Sequence, residues 1–465
     1  MKLVLAHRRV EARSFLIRHR NIFTTRRDGS TWPRWKDSWK SASYYHEGLL
    51  SPGRKKSMQR ISQRMDVNEN TIEQFIRESP WDYEELHDHL ASQIPCCIRD
   101  EKAAFIVDEV SLVKQGRHSV GVQRQYCGAQ GKVGNCQVGV DLTYAAPGEH
   151  RNADQRTWPL GMRLYLPESW VRDRDRRREC GVPESVLFRT KPEIALDLID
   201  RVRKHTVKHT CTVADAGYGD DGEFRKGLRK QKEPYILSVT PSEPLVIDVS
   251  IPVIPPEKHN GRGRPRVHLT YPENVQPETP SMIAQRVKNW ITVEWSEGTK
   301  GKLSGDFYRE KVRVVGGRQT RYASDEIIWL LLEKRKDEKG GEELKAYVCW
   351  GMDDALLKIL VEYAHLRWTI EQFHRETKQL LGLDRFEGRS WKGWHHHISM
   401  VLLAYAFIAE LRAEIKTEEK LPSFPAVVRL VVHEAATQQL MKDHHLTRRK
   451  ARGIAETMLR RYSDW

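Results

Sequence analysis

The chain has 465 residues, a formal net charge of +15 at pH 7 and 39% hydrophobic residues. This length predicts roughly three domains, and the apolar fraction excludes a disordered or collagen-like chain. The excess of Lys and Arg favours a polyanionic partner, nucleic acid first, because each neutralised phosphate releases counterions. An ordinary basic enzyme is the alternative.

Cysteine usage and hydropathy restrict the cellular setting. The seven Cys contain no Cys-x-x-Cys pair, which argues against a disulfide framework or a zinc ribbon and favours a reducing cytoplasm. The N-terminus is charged too early for a signal peptide. The longest apolar run, near Val401–Ala409, is well short of the roughly 20 residues that span a bilayer. We therefore expect a cytoplasmic protein without a membrane partner.

Residues 1–100 are predicted to form a helical, basic, DNA-binding region. A helix at Ile61–Met65, a polar turn and a second helix at Ile72–Glu78, capped by Thr71, outline a helix-turn-helix. Many helical hairpins share this outline. A further helix is predicted to begin at Ser79 as its cap.

Residues 101–241 are predicted to form the first part of a catalytic core. Three β-like runs with short connections predict a meander, and later strands that alternate with helices predict β-α-β units. We therefore expect an α/β fold, a mixed sheet with flanking helices. The predicted strands are Ala104–Val110, Ser119–Tyr126, Cys136–Tyr144, Leu164–Leu166, Cys211–Ala214 and Tyr235–Val239, and the predicted helices are Pro192–His205 and Phe224–Lys230.

The composition changes again after this core. Residues 242–353 contain Pro-rich pieces and β-like runs, which predict a β-rich insertion. Residues 354–415 are predicted to complete the core with one long helix at Asp354–Leu381 and another at His397–Ile415. Residues 416–465 form a basic C-terminal tail.

Three acids stand out as candidate catalytic residues. Asp108 interrupts an apolar strand, which is costly unless the carboxylate is paired or bound to metal. Asp215 follows a strand at a Gly-containing turn, a usual place for a site in an α/β sheet. A buried structural acid and a turn cap are the respective alternatives.

The third acid, Glu371, lies on a predicted helix. Arg367, His374 or Arg375, and Lys378 share its face, whereas Trp368 and Phe373 can face the core. An ion-paired surface helix is the alternative. Three carboxylates can hold two Mg²⁺ ions for phosphoryl transfer, with basic groups beside them for phosphates.

At these segments the chain resembles insertion-sequence transposases of the DDE class, most closely the family numbered seven hundred and one. The resemblance covers most of the chain from about residue 58 to 412. The segments that carry it are Phe105–Glu109, Lys114–Val122, Arg124–Gly128, Asn135–Val138, Ala214–Asp220, Arg367–Gln372, Leu381–Trp391 and His395–His397.

The resemblance implies an RNase H-like core in which Asp108, Asp215 and Glu371 bind Mg²⁺ or Mn²⁺. Related transposases carry a Tyr-x2-Arg-x3-Glu-x6-Lys signature. Arg367, Glu371 and Lys378 keep its spacing, while Ala364 stands at the Tyr position, next to Tyr363.

The implied reaction is DNA cleavage at transposon ends followed by strand transfer into target DNA. The implied partner is double-stranded DNA, with a homodimer in the DNA complex and a bacterial, nucleoid-associated location. A nuclease without strand transfer and an inactive DNA-binding protein are the alternatives.

Further basic residues are predicted to contact DNA. Lys114 and Arg117 lie in the first matching block. Arg262, Arg264 and Arg266 form a segment that resembles an AT-hook core, with a basic Gly-rich loop as the alternative.

Other acids and histidines invite competing interpretations. Asp141 is the nearest competitor for a place in the triad, and Asp220 and Asp221 are weaker ones. Glu109 should point to the opposite face from Asp108. His395–His397 are predicted to pack, cap or contact phosphate rather than to bind one metal, because adjacent helical residues point about 100° apart.

Overall fold

The computed structural model of the protein describes residues 12–26, 28–32, 38–53, 55–147, 156–256, 268–298, 301–316, 321–336, 341–415 and 421–461. The chain divides into two compact units, each built from separated segments. The first unit comprises Met1–Glu101, Asp108–Lys208 and Thr369–Trp465, and the second comprises Lys102–Val107 and His209–Trp368. The predicted functional boundaries at residues 100, 241, 353 and 415 stay a prediction.

The first unit combines the helical N-terminal region with antiparallel strands. Its strands are β1 (Ala104–Val113, from Asp108 onward), β2 (Gln123–Cys127), β3 (Lys132–Ala146) and β4 (Arg156–Leu164). Its helices are α1 (Ala12–Ile17), α2 (Arg20–Thr24), α3 (Trp39–Leu50), α4 (Met58–Met65), α5 (Glu69–Arg77), α6 (Tyr83–Ser92), α7 (Glu168–Arg172), α8 (Arg174–Glu179), α9 (Lys191–Arg203), α14 (Trp368–Leu381, from Thr369 onward), α15 (Trp391–Glu414), α16 (Phe424–His444) and α17 (Arg448–Arg461).

The second unit contains the parallel strands and the β-rich insertion. Its strand order is β1-β5-β6-β12-β11-β10-β7, with β8 beside β11 and β9 beside β10. The pairs β1–β5 and β5–β6 are parallel, and β12 joins β6 antiparallel. The further elements are β5 (Cys211–Ala214), α10 (Ala216–Gly219), α11 (Gly222–Lys230), β6 (Tyr235–Val239), β7 (Leu245–Asp248), β8 (Leu269–Thr270), α12 (Pro280–Arg286), β9 (Ile291–Gly298), β10 (Gly301–Val315), β11 (Tyr322–Lys336), β12 (Glu342–Trp350) and α13 (Leu357–Leu366).

The mixed sheet with flanking helices confirms the predicted RNase H-like fold, but the meander differs from its prediction. Its central strand, β3, pairs antiparallel with β2 and, through its second half, with β4. The sequence predicted only a short strand at Leu164–Leu166 in place of β4. Pro159 and Gly161 are unusual inside strands, so the sequence pattern did not indicate β4. The register shift between Leu142 and Thr143 of β3 accommodates them.

Two predicted helix caps in the N-terminal region are wrong. Helix α5 begins at Glu69, and its cap is Asn68 rather than Thr71. Helix α6 is capped by Asp82 rather than Ser79. The backbone N–H of Ser79 instead donates a hydrogen bond to the Gln74 carbonyl at the end of the preceding helix. Residues 79–82 are therefore an extended connection between two helices.

The long helix predicted at Asp354–Leu381 is two helices, α13 and α14, which are interrupted at Arg367. Arg367 keeps helical angles, with φ −51° and ψ −33°, so the backbone stays in the helical region between the two helices. The apolar spacing continues through the break, and therefore no sequence pattern marks it. Helix α15 begins at Trp391, six residues before the predicted start, with Ser390 as its cap.

Helix α15 is buried along most of its length, and its three consecutive histidines pack inside the first unit. Nδ1 of His395 lies 2.9 Å from the Trp391 carbonyl. The two ring nitrogens of His396 lie 2.9 and 3.0 Å from the carbonyls of Ile76 and Trp81. These contacts confirm packing over metal binding. Within the described residues, no helix combines the length and apolarity that crossing a membrane requires.

His397 links the same helix to two other elements. Its Nδ1 lies 2.7 Å from the Tyr45 hydroxyl of α3, and its Nε2 lies 3.1 Å from the Gly382 carbonyl after α14. A neutral imidazole satisfies both contacts, because Nδ1 accepts a hydrogen bond from the Tyr45 hydroxyl and Nε2 donates one to the Gly382 carbonyl. Burial lowers the pKa of His397 to about 4.

The buried histidines predict a stability that depends on pH. Burial lowers the pKa of His396 from 6.5 to about 3, although the Trp81 and Ile76 carbonyls oppose this shift. The unfolded chain therefore binds protons that the folded chain excludes, and stability is fully present above pH 6.5 and lost as the pH falls below it. His19, His46, His87, His395 and His397 are shifted in the same direction.

We expect the urea-unfolding free energy to fall between about pH 6.5 and pH 5, with little change above this range. In His396→Gln the free energy is lower at neutral pH, but its fall is shallower, by up to about 1.4 kcal/mol per pH unit. Urea titrations followed by circular dichroism measure both slopes. An unchanged slope in the variant contradicts a neutral His396.

Candidate active site

The parallel pairing of β1 with β5 in the second unit ends directly before Asp108 and Asp215. The last residues paired between β1 and β5 are Val107 and Ala214, and each acid is the next residue along its chain segment. The carboxyl ends of parallel strands, where Asp215 lies, carry the sites of many α/β sheets. Oδ1 of Asp108 accepts a hydrogen bond of 2.7 Å from the Glu109 N–H.

Asp215 begins the short helix α10 and caps it. Its Oδ1 accepts a hydrogen bond of 3.0 Å from the Gly217 N–H, so the alternative of a turn cap is correct for one carboxylate oxygen. The turn lies against the backbone of β6. A Cβ at Gly219 would stand 1.8 Å from the Ser238 carbonyl oxygen, and therefore this position requires glycine.

Helix α14 presents Glu371 on the predicted face. Glu371 and Arg375 are exposed and Lys378 is half-buried, whereas Phe373 packs in the core. Trp368 was predicted to face the core as well, but it is 45% exposed. It is the first residue of α14, directly after the break at Arg367, and the prediction assumed one continuous helix.

His374, one turn after Glu371, pairs with the buried Asp141 of β3. The distance from His374 Nε2 to Asp141 Oδ1 is 2.9 Å, and the Thr143 hydroxyl lies 3.3 Å from Asp141 Oδ2. Burial alone lowers the pKa of His374, but Asp141 and then Asp108 raise it above its ordinary value. Both oxygens of Asp141 therefore have protein partners. The sequence placed His374 on the face of Glu371 but did not predict its pairing with Asp141.

The other competing acids also have structural partners. Glu109 forms an ion pair of 2.7 Å with Lys191 of α9. Asp220 accepts hydrogen bonds of 2.9 and 2.6 Å from the backbone and hydroxyl of Thr240. Asp221 caps α11 through two backbone N–H groups. Each of these acids therefore has a structural role, as Asp215 does through the one oxygen of its cap.

The predicted DNA-contacting residues differ in their surroundings. Lys114 donates to the Phe386 carbonyl after α14, and burial lowers the pKa of Lys114 to about 8, opposed by Asp384. Arg117 is exposed, and its carbonyl accepts a hydrogen bond of 3.3 Å from Arg176 of α8. Lys114 therefore joins a strand to a loop, whereas Arg117 faces solvent.

Arg367 and Tyr363 lie in the second unit. Burial is the largest cause of the lowered pKa of Lys345, and the nearby charges of Arg335 and Arg367 lower it further. Tyr363 is buried, and its hydroxyl donates a hydrogen bond of 2.8 Å to the Lys102 carbonyl. Arg262, Arg264 and Arg266 lie outside the described residues.

Throughout the part of the chain that the structure describes, no three His, Cys, Asp or Glu side chains are arranged to hold a metal ion. Asp108 and Glu371 belong to the first unit, and Asp215 belongs to the second. All three nevertheless offer carboxylate oxygens, the donors that Mg²⁺ prefers.

A mixed sheet of this kind with flanking helices is an RNase H-like fold. The sequence matches the family described as DDE superfamily endonuclease over residues 34–302, more than half of the chain. The chain therefore belongs to this family, whose members generally use divalent metal ions. The matching residues include Asp108 and Asp215 and end before Glu371.

One relative extends this result. A protein of Microchaete diplosiphon, described as a probable transposase for insertion sequence element IS701, is 28% identical over 204 residues. The similarity covers 43% of this chain and 49% of that protein, so the chain spans about half the length of this relative.

The close approach at Gly219 predicts that the Asp215 turn tolerates no side chain there. In Gly219→Ala the new Cβ displaces the turn, and we expect metal-dependent cleavage to fall about 100-fold, as when a catalytic group moves by about 1 Å. Gly222→Ala is the matched control, because its Cβ meets no atom closer than 3.8 Å.

Initial cleavage rates, with folding checked by circular dichroism, test this prediction. Equal rates in the two folded variants would mean that the Gly219 turn does not position Asp215.

Proposed function

We propose that this protein is a transposase that cuts DNA at the ends of a mobile element and joins them to target DNA. The observation that carries the proposal is the pair of acids directly after Val107 and Ala214, which are paired in parallel. The exposed Glu371 on α14, with Arg375 on the same face, supports it. The relative from Microchaete diplosiphon is also described as a probable transposase.

In this proposal Asp108, Asp215 and Glu371 hold Mg²⁺, or Mn²⁺ in its place. Three carboxylates supply hard oxygen ligands and leave positions for water and phosphate. Two divalent ions, when bound, activate the attacking oxygen and stabilise the leaving oxygen. Asp141 is not part of this set, because His374 and Thr143 occupy its oxygens.

The proposed reaction has two in-line displacements at phosphorus. In the first, water attacks a phosphodiester at the element's end, the P–O3′ bond breaks, and the 3′ oxygen takes a proton. In the second, that 3′-hydroxyl loses its proton and attacks a target phosphodiester, whose P–O3′ bond breaks. The number of phosphodiester bonds is unchanged in the second step, which therefore needs no external energy source.

Basic residues around Glu371 have the role of positioning DNA. Arg375 and Lys378 lie on the helix that carries the acid, and Arg367 precedes it. We assign them, with Arg117, to phosphate contacts. We also propose, from the sequence, that Arg262, Arg264 and Arg266 bind the minor groove. Lys114 would have to break its hydrogen bond with the Phe386 carbonyl to reach DNA.

The proposed partners are two element ends and a target duplex, bound by a homodimer because two ends must be joined in one complex. The N-terminal helices, including the hairpin of α4 and α5, would recognise the ends. We further propose that the protein is bacterial, lies in the cytoplasm and associates with the nucleoid.

A nuclease that cuts without strand transfer is the second candidate. The family description reads endonuclease, and the family match ends before Glu371. Joining of end oligonucleotides to a plasmid distinguishes the two, because a nuclease releases the cut end without joining it.

Glu371→Gln is the decisive variant for the proposed function. With Mg²⁺ and DNA carrying the element's ends, we expect cleavage and joining to fall at least about 1,000-fold, since the divalent ions that would stabilise the transition-state charge lose a ligand. DNA binding should remain. Glu376→Gln is the matched control, because Glu376 lies on the same helix but is buried against Gln372 and Tyr405.

Gel assays of cleaved and joined products measure both variants. Full activity in Glu371→Gln would remove it from the triad. Binding without cleavage by the wild-type protein, in Mg²⁺ and in Mn²⁺, would favour an inactive DNA-binding protein.

A further inference from the structure

Asp141 and His374 form a buried pair that the proposed metal triad does not use. Asp141 is 1% exposed in the middle of β3, where an unpaired carboxylate would be costly. His374 reaches it from α14 at 2.9 Å. The pair therefore ties the helix that carries Glu371 to the strand beside β1.

The pairing fixes the orientation of the imidazole ring. Because Nε2 is held by Asp141, the other nitrogen, Nδ1, points away from that carboxylate. Nδ1 forms no hydrogen bond with any residue in the described ranges, and 13% of the side chain of His374 remains exposed. A carboxylate behind a histidine is a common means of setting the ring's orientation and favouring its charged form.

The surroundings of His374 are those of a phosphate site. Glu371 precedes it by one helical turn and Lys378 follows it by one turn, while Arg375 is exposed beside it. Asp108 is close enough to affect the ionisation of His374. A DNA phosphate that approached Asp108 and Glu371 would therefore pass the ring.

We propose that His374, oriented by Asp141, donates a hydrogen bond from Nδ1 to a phosphate oxygen of the DNA strand that is cut. The inference rests on the proposed function, because it takes DNA as the substrate. His374 is then a substrate-contacting residue and Asp141 is a positioning residue. A charge-assisted hydrogen bond of this kind is stronger than a neutral one and sensitive to salt.

His374→Gln separates this role from a structural one. The Gln amide nitrogen can keep the hydrogen bond to Asp141, but the variant has no donor in place of Nδ1 and no positive charge. His209→Gln is the matched control. His209 is also a histidine with Nε2 on a buried carboxylate, at 2.7 Å from Glu233, and with 11% of its side chain exposed.

DNA affinity is measured by fluorescence anisotropy over a salt series, with a duplex of the element's terminal sequence and Ca²⁺ in place of Mg²⁺. For His374→Gln we expect affinity to fall about tenfold, and the slope of log K against log[salt] to become shallower by about 0.9, the value for one lost phosphate contact. Asp141→Asn should give a smaller change in the same direction. The double variant should match His374→Gln, because both substitutions act on one contact.

A slope equal to that of the wild-type protein in His374→Gln, with or without a loss of thermal stability, overturns the inference and shows that the pair is structural. A shallower slope in His209→Gln of the same size also overturns it, since the change would then not be specific to His374. The proposed function is judged separately, by Mg²⁺-dependent cleavage and joining in the wild-type protein. Wild-type activity with an unchanged slope in His374→Gln refutes only the contact.

Discussion

The first unit depends on burying the polar start of helix α15. Three consecutive histidines enter the core there, and burial is tolerable because each ring forms at least one hydrogen bond in the core. Three of the six partners are backbone carbonyls from other segments, including Ile76 in the second helix of the helix-turn-helix outline and Gly382 after α14. The same helix thus ties the N-terminal helices to the segment that follows Glu371. Displacing any of these carbonyls would leave a buried polar group unsatisfied, which is costly.

A comparable constraint holds the Asp215 turn in the second unit. Arg225 of α11 donates to the Gly219 carbonyl at 2.6 Å and to Glu326 of β11 at 2.9 Å. Both side chains of this ion pair are buried, and Tyr235 also donates to Glu326. A strand of the β-rich insertion therefore stabilises the turn that begins at Asp215. The insertion therefore helps to hold the Asp215 turn in place, in addition to any contact that it makes with DNA.

Four acidic side chains outside the proposed triad have structural partners. Glu109, Asp141, Asp220 and Asp221 each hold a cation, a hydroxyl or a helix end. Removing such a carboxylate would affect stability first. Asp215 also caps a helix, but with a single oxygen, so a structural and a metal-binding role are compatible in one residue.

The sequence by itself determined the apolar strand that contains Asp108 and the strand that ends before Asp215, because the apolar runs and the Gly turn after Asp215 are local signals. It also determined the exposed face of Glu371, since residues three and four apart share a face of a helix. The fold class followed from the order of strands and helices. The family resemblance then selected these three acids among several.

Only the tertiary structure decided the features that join distant segments. The partners His374 and Asp141 are 233 residues apart, and no local pattern connects them. The exposure of Trp368, the strand β4 and the partner of Lys114 were likewise set by packing against elements elsewhere in the chain. The physical reason is that helical and strand periodicity report which face of an element is buried, whereas the choice of a polar partner depends on which groups the folded backbone brings within hydrogen-bonding distance.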